Sequence, residues 1–447
     1  MWTDPLLSQW ARAADGQFFG DDYVVANLST DSRTVEKGDC YVALKGDLFD
    51  GHNYIPTAIQ KGAGALVVSR LQDDCDLPQL LVPDTRKALG YLAGLLRNAF
   101  DGQVVALTGS AGKTSTRAML QCIFEQQPGL LATEGNFNND IGVPKTWFRL
   151  NDSYQRVLLE MGANAPGEIA WMGSFSKPHI SLLLNASEAH SEGFGGLDGV
   201  REAKGEILTA TLPEGACVLN RDDPAYRYWL NLAGDRRVIT FGKSGRADVS
   251  LLSFEADGAG SQFHLSLPDG DISVKWAMLG KHMALNAAAA AATAWVAGVS
   301  ALDIAEGLSQ VMPQAGRMQP LESAHGGVLI HDAYNASPSA VRSAIDVLAE
   351  QGEDTLLLLG DMLELGEASD RLHQEIGEYA KGRVSDLWTL GKASRLTSTA
   401  FGGKHFTRLD DLLAELPARL TETTAVLVKG SRSIGMERVV ETLRRKP

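Results

Sequence analysis

The segment Gly109-Ser110-Ala111-Gly112-Lys113-Thr114-Ser115 has the chemical equipment to hold phosphates and a divalent cation. Its two glycines let backbone N–H groups turn toward an anion, Lys113 can reach terminal phosphates, and the Thr114 hydroxyl can ligate Mg²⁺. Three more residues of types that bind metals or move protons follow downstream: Glu160, His190 and Lys204. A carboxylate such as Glu160 can hold a metal that bridges phosphates. Standing alone, it reads more simply as a surface acid. Lys204 lies in Arg201-Glu202-Ala203-Lys204-Gly205-Glu206-Ile207, a helical pattern in which periodicity alone makes it a solvated side chain.

The flanks supply what must position these residues. An apolar, β-forming run (104–107) precedes the glycines, and a helical pattern (Ala118, Met119, Ile123, Phe124) follows, giving strand, phosphate loop and helix. The longer phosphate-loop pattern has a further glycine where this chain has Leu107, so only the short form is present. A strand at 156–159 delivers Glu160, and one at 180–184 delivers Asn185. Strand ends are where open parallel sheets put their ligands. The stretch 133–144, rich in amides and glycines and including Asn136, Asn138 and Asn139, suggests a shaped loop that hydrogen-bonds something. Alternating segments at 248–278 signal antiparallel strands appended to the parallel sheet. Gly280-Lys281-His282 opens an Ala-rich helix bearing Asn286, and 312–317 looks like a hinge ending in Arg317.

Two further units flank this one. Residues 1–84 read as a small α/β unit with polar loops at Ser29-Thr30-Asp31-Ser32-Arg33 and Phe49-Asp50-Gly51-His52. These loops either hold a polar ligand or are solvated turns. Residues 85–315 form the central unit. Residues 316–447 alternate strands (328–331, 355–359, 387–390, 425–428) with helices, a doubly wound α/β pattern. Its strands end in Asp332, Tyr334 and Asn335, in Gly360 and Asp361, and in Lys429, Gly430, Ser431 and Arg432, which argues for a shared cleft.

Bulk properties narrow the class. A chain of 447 residues fits two or three domains, and 44% hydrophobic with 21% charged residues is a globular composition. No apolar run approaches the roughly 20 residues of a membrane span, and the N-terminus lacks the basic start of a signal peptide. A net charge of −14 argues against a nucleic-acid surface. Cys40, Cys75, Cys122 and Cys217 form no CxxC pair, and the cytoplasm fits best.

Taken together, the motifs resemble those of the Mur ligases, ATP-dependent amide-forming enzymes of peptidoglycan precursor synthesis. The resemblance spans essentially the whole chain. Thr108 to Ser115 is similar to their short phosphate loop, while Gly280-x-His282 with Asn286, Gly316-Arg317 and Asp332-x-Tyr334-Asn335 match further nucleotide motifs. Several stretches are similar to the family member that adds D-alanyl-D-alanine to UDP-N-acetylmuramoyl-tripeptide. They are Thr133-x-x-Asn136-x-Asn138-Asn139-x-x-Gly142-x-Pro144, Leu359-Gly360-Asp361-Met362-Leu363-Glu364-Leu365-Gly366 with His373, and Lys429-Gly430-Ser431-Arg432. Ser32-Arg33 and Phe49-Asp50-Gly51-His52 fit that member too.

The resemblance implies three α/β domains: a UDP-sugar-peptide domain (1–84), an ATP-binding parallel-sheet domain with appended antiparallel strands (85–315), and a Rossmann-like ligase domain (316–447). It implies ATP on residues Gly109 to Ser115, with Asn286, Arg317, Asp332 and Asn335 completing the nucleotide site. Thr114 and Glu160 would hold one Mg²⁺. His190 and a carbamylated Lys204 would serve a second, leaving Lys113, His190 and Lys204 as the catalytic set. Ser32, Arg33, Asp50, Asn136, Asn138, Asn139, Lys429, Ser431 and Arg432 would bind substrate. A cytoplasmic monomer serving cell-wall growth and division is expected. Glu188 stands where a small or neutral residue is expected, which leaves the metal geometry open. A sister ligase, a folylpolyglutamate synthase, or a non-catalytic nucleotide switch are the rival readings.

Overall fold

The computed structural model describes residues 4–46, 49–187, 191–243, 245–256 and 260–445, with the backbone alone at 191 and 192. Within them the chain builds three sheets in sequence. The first has five strands in the order Gln17–Phe19, Gln79–Leu81, Ala65–Val68, Cys40–Val42, Leu28–Ser29. Its first pair is antiparallel and the others are parallel. Helix Leu7–Ala13 buries Leu7, Trp10 and Ala11 against this sheet, and the Trp10 indole donates to the Ala88 carbonyl at 2.7 Å. Ala88 lies on helix Thr85–Ala99, whose N-terminus is capped by the Asp84 carboxylate. That helix serves two cores. Ala88, Leu89 and Leu92 pack with the N-terminal sheet, and Ala93 and Leu96 pack with the next one.

The central sheet has nine strands. From one edge the order runs Leu130–Ala132, Arg156–Glu160, Gln103–Thr108, Ile180–Leu183, Ala216–Asn220, Arg237–Gly242, Val249–Ala256, Ser261–Leu267, Gly270–Trp276. The first seven are parallel and the last two antiparallel, as the alternation at 248–278 leads one to expect. Near-continuous apolar runs such as Val104–Leu107 suit strands covered on both faces. Helix Lys281–Val296 lies in that cover. Ala287 to Ala292 are all fully buried, so the helix is small on every side and packs deeply among its neighbours.

The third sheet has six strands in the order Gln319–Glu322, Val328–Asp332, Ala425–Lys429, Thr355–Gly360, Asp386–Leu390, Lys404–Phe406. The four interior strands fall where the sequence pattern places them, and two edge strands lie outside that pattern. Gln319–Glu322 contains Pro320, which ordinarily speaks against a strand, but at an antiparallel edge the missing N–H faces outward. Lys404–Phe406 is three residues long, too short for a periodic signal. Ile330, Val341, Ile345 and Leu348 of this region join the same buried cluster as Met283 and Ala287 of the central one, so apolar packing is continuous across the boundary. No helix among the described residues is long and apolar enough to cross a membrane.

Candidate active site at the phosphate loop

Strand order explains why distant residues meet. The strand Gln103–Thr108 runs into the phosphate loop, with Arg156–Glu160 on one side and Ile180–Leu183 on the other. The next strand out, Leu130–Ala132, opens the Asn-rich loop. Four adjacent parallel strands therefore release their polar residues at one end of the sheet.

The loop itself is held by its neighbours. Asn185 Oδ1 accepts from the Ala111 amide at 2.9 Å while its Nδ2 donates to the Ala111 carbonyl at 3.1 Å. The Ser110 amide donates to the Asn185 carbonyl at 3.0 Å, and Ser110 Oγ accepts from the Ser187 amide at 3.0 Å. Helix Lys113–Phe124 starts at Gly112, in left-handed backbone (φ +83°) with no side chain capping the helix. Its N–H groups stay open toward an anion. Gly112 must also lack a side chain for another reason: a Cβ there would lie 2.7 Å from Asn286 Oδ1. This contact seats Asn286 against the loop. Lys113 Nζ folds back to donate to the Gly109 carbonyl at 2.7 Å. Burial pushes its pKa down, the positive charge of Arg317 adds to this, and Glu160 opposes it.

Behind the loop lies a buried polar knot. Glu160 is 1% exposed. Its Oε1 accepts from the Thr114 hydroxyl at 3.1 Å and from Asn138 Nδ2 at 2.8 Å, and its Oε2 accepts from Arg117 Nε at 3.1 Å. Arg317 reaches in from the start of the C-terminal region and donates from Nη2 to Thr114 Oγ1 at 3.0 Å. The chain turns there through Gly316 (φ +74°), whose missing side chain admits Tyr334, and through Met318 in left-handed backbone (φ +49°). A non-glycine residue in that region is strained by on the order of 1–3 kcal/mol. The Met318 amide is held by Asp332 Oδ1 at 3.1 Å. The guanidinium groups of Arg317 and Arg432 each lie over the Tyr334 ring, 4.1 and 5.2 Å from its centre.

Lys204, on helix Leu197–Ala210, is buried. Its Nζ is 3.4 Å from the Ala163 carbonyl and 5.2 Å from the centre of the Phe194 ring, and no acid pairs with it among the described residues. Burial, and then the charge of Lys113, push its pKa down to about 7, with Glu168 and Glu206 pulling the other way. His190 and Glu188 lie outside the described residues.

The remaining sequence candidates divide by what their side chains do. Arg33 is exposed and bonded to Asp31, whose carboxyl it holds down at about 2. Ser32 is buried. Asp50 Oδ1 accepts from the His52 amide at 3.0 Å and lies 2.6 Å from His52 Nδ1, while Oδ2 pairs with Arg70 at 3.2 Å. His52 Nε2 accepts from the Ser69 amide at 2.9 Å, which leaves Nδ1 to donate to Asp50. Asn136 is exposed, and Asn139 Oδ1 accepts from the Ile141 and Gly142 amides at the start of helix Gly142–Trp147. In the third sheet, Lys429 Nζ lies 2.5 Å from Asp332 Oδ2 and 3.0 Å from the Asn335 carbonyl. Asn335 Oδ1 accepts from the Ala336 amide, and Ser431 Oγ from the Leu363 amide at 2.9 Å. Burial alone would raise the Asp361 carboxyl, but bonds from Ser394 and the Lys392 and Ala393 amides outweigh it and leave it below its ordinary value. His373 accepts from the Met362 amide at 3.1 Å and donates to the Ser369 carbonyl at 2.8 Å, a structural brace for the 361–366 loop.

Arg117 is the site residue that sequence reasoning missed. Its signal was present: it stands four residues after Lys113, one helical turn along the same face.

Strand, short phosphate loop, helix, and a glutamate delivered by the neighbouring strand define a phosphate-loop nucleotide protein with a metal-competent carboxylate. Three family models match: the Mur ligase middle domain over residues 107–294, the glutamate ligase domain of Mur ligases over 316–432, and the Mur ligase family catalytic domain over 24–95. The chain is 40% identical to the UDP-N-acetylmuramoyl-tripeptide–D-alanyl-D-alanine ligase of Escherichia coli K12, covering 98% of both. A crystal structure of MurF from Acinetobacter baumannii superposes with a TM-score of 0.92 at 32% identity, over 99% of this chain and 98% of that one. MurF ligase from Thermotoga maritima, in complex with ADP, gives 0.85 at 28% identity, over 93% and 96%. The chain belongs to the Mur ligase family.

Proposed function

We propose that this chain is the ATP-dependent ligase that joins D-alanyl-D-alanine to UDP-N-acetylmuramoyl-tripeptide, giving the pentapeptide precursor of peptidoglycan. Similarity to the Escherichia coli ligase along nearly the whole of both chains carries the reading. The convergence of Lys113, Thr114, Glu160 and Arg317 at one sheet end supplies chemistry that suits it.

A carboxylate and an amine do not condense in water, because carboxylate oxygen is a poor leaving group. The tripeptide carboxylate attacks the γ-phosphorus of ATP, an acyl phosphate forms and ADP departs. The dipeptide amine then attacks the acyl carbon and inorganic phosphate leaves. Phosphoryl transfer depends on positioning and charge neutralisation. The open N–H groups at Gly112 and beyond cradle the phosphates, Lys113 swings from the Gly109 carbonyl toward them, and Arg317 brings a second cation from the C-terminal side. Asn286, Asp332 and Asn335 complete the nucleotide site.

The donors at the loop fit Mg²⁺. The Thr114 hydroxyl and the Glu160 carboxylate beside it are hard oxygen donors of the kind Mg²⁺ takes. Thr114 and Glu160 would hold the ion, which would supply neutralisation of phosphate charge. A second ion is assigned to His190 and to Lys204 as its carbamate. An amine with a pKa of about 7 is in good part neutral at physiological pH, the form that reacts with carbon dioxide. The UDP-sugar-peptide is assigned to Ser32, Arg33, Asp50 and the loop of Asn136, Asn138 and Asn139, and the dipeptide to the side of Lys429, Ser431 and Arg432. ATP and a UDP-sugar as substrates place the reaction in the cytoplasm, and the protein acts as a monomer.

The test is phosphate release from Mg²⁺-ATP with mass detection of the product. Release only when both tripeptide and dipeptide are present, with a product heavier by one dehydrated dipeptide, is the expected result. Release with a single amino acid in place of the dipeptide would move the chain to a sister ligase. No release under any pairing would favour a nucleotide switch.

A further inference from the structure

Arg117 belongs to none of the motifs above, yet it is 7% exposed and each of its polar contacts runs to the site. Nε donates to Glu160 Oε2 at 3.1 Å, Nη1 donates to the Thr133 carbonyl, and Nη2 donates to the Gly135 carbonyl at 3.3 Å. The other carboxylate oxygen, Oε1, is left to the Thr114 hydroxyl and Asn138 Nδ2. Glu160 is thus divided: one oxygen faces the guanidinium, the other the phosphate loop. Thr133 and Gly135 open the loop that carries Asn138, so the contacts close a ring from Arg117 through Glu160 and Asn138 back to Arg117. A plain ion pair would need Glu160 alone. The planar fork of arginine, with donors in fixed directions, is what reaches a carboxylate and two carbonyls together.

We propose that Arg117 is a positioning residue that fixes Glu160 with Oε1 toward the metal and couples metal binding to the order of the Asn-rich substrate loop. The inference rests on the assignment of Glu160 to Mg²⁺. Residues that hold a metal ligand in place typically cost roughly 10–100-fold in metal affinity when removed.

The test uses Arg117→Met and Arg117→Lys, each checked for fold by circular dichroism and thermal midpoint. Calorimetric binding of ADP is followed as Mg²⁺ is titrated, alongside ADP binding without metal and the KM for the UDP-sugar-tripeptide. The expected result for Arg117→Met is a Mg²⁺ midpoint raised by roughly 10–100-fold, metal-free ADP binding unchanged, and a raised tripeptide KM. Arg117→Lys falls between, since lysine supplies the charge without the fork. In a Glu160→Gln background, Arg117→Met adds no further shift in the Mg²⁺ midpoint. A folded Arg117→Met protein with the wild-type midpoint, or full additivity in the double variant, overturns the proposal. If the methionine variant does not fold, a wild-type midpoint in Arg117→Lys does the same. ADP binding is read without either substrate, so a shifted midpoint in a protein that makes no amide product would sink the ligase reading and leave this inference standing.

Discussion

Lys204 and Lys429 are both buried, at 4% and 3% exposure, and their surroundings are opposite in kind. Lys429 sits in register beside Asp332 on adjacent parallel strands and pairs with it at 2.5 Å. Lys204 has a carbonyl and an aromatic ring for company, and its pKa falls to about 7. A buried ammonium matched by a carboxylate is a fixed strut. Lys204, with which no acid among the described residues pairs, is in good part a neutral amine near pH 7, and that is a nucleophile.

The comparison breaks most visibly in turnover. Lys204→Ala is expected to abolish ligation, with acetate or formate restoring part of it by standing in for the carbamate. Full activity in the alanine variant would remove the role. The next effect is on stability. Lys429→Met strands the Asp332 carboxylate in the interior, and breaking a buried pair costs about 3–5 kcal/mol. A denaturant midpoint unchanged from wild type would show that the pair is not the strut described.

Lys204→Met should act in the opposite direction in carbon-dioxide-free buffer. The folded pKa of about 7 lies below the ordinary lysine value of 10.5, so between these the unfolded chain binds more protons than the folded one. This group therefore makes wild-type stability rise with pH across that window, and its penalty is full only at and below about pH 7. The stability gain of Lys204→Met should be larger at about pH 6 than at about pH 9, as read by thermal unfolding. A gain independent of pH would mean the ammonium is not the cause. The smallest effect sharpens the contrast between structural and substrate-facing amides. Asn139→Ala removes a helix cap and should cost about 1 kcal/mol, while Asn139→Ser retains the cap. A serine variant as stable as wild type but raised in tripeptide KM would show that Asn139 also touches substrate.

Much of this was legible in the sequence because it is local. Gly112-Lys113-Thr114 after an apolar run announces itself, and the alternation beyond residue 328 marks a parallel sheet with interior strands at the right places. The amide-rich stretch at 133–144 was readable as a shaped loop, but not that Asn138 bonds Glu160 while Asn139 caps a helix. Those partners depend on which strands lie side by side, and strand order is set by long-range packing. The Asp332–Lys429 pair was hidden for the same reason, its members lying 97 residues apart in sequence. Arg117 shows a third kind of blindness. Helical spacing put it on the Lys113 face, but only the fold says that this face is buried against a carboxylate.

The central claim is that the tripeptide carboxylate is activated by direct attack on ATP, and oxygen transfer tests it most directly. Tripeptide substrate labelled with ¹⁸O in its terminal carboxylate is turned over with unlabelled ATP and D-alanyl-D-alanine, and the released phosphate is examined by mass. The account predicts one labelled oxygen in each phosphate formed alongside amide product. Unlabelled phosphate accompanying that product would contradict it, because no acyl phosphate could then have formed.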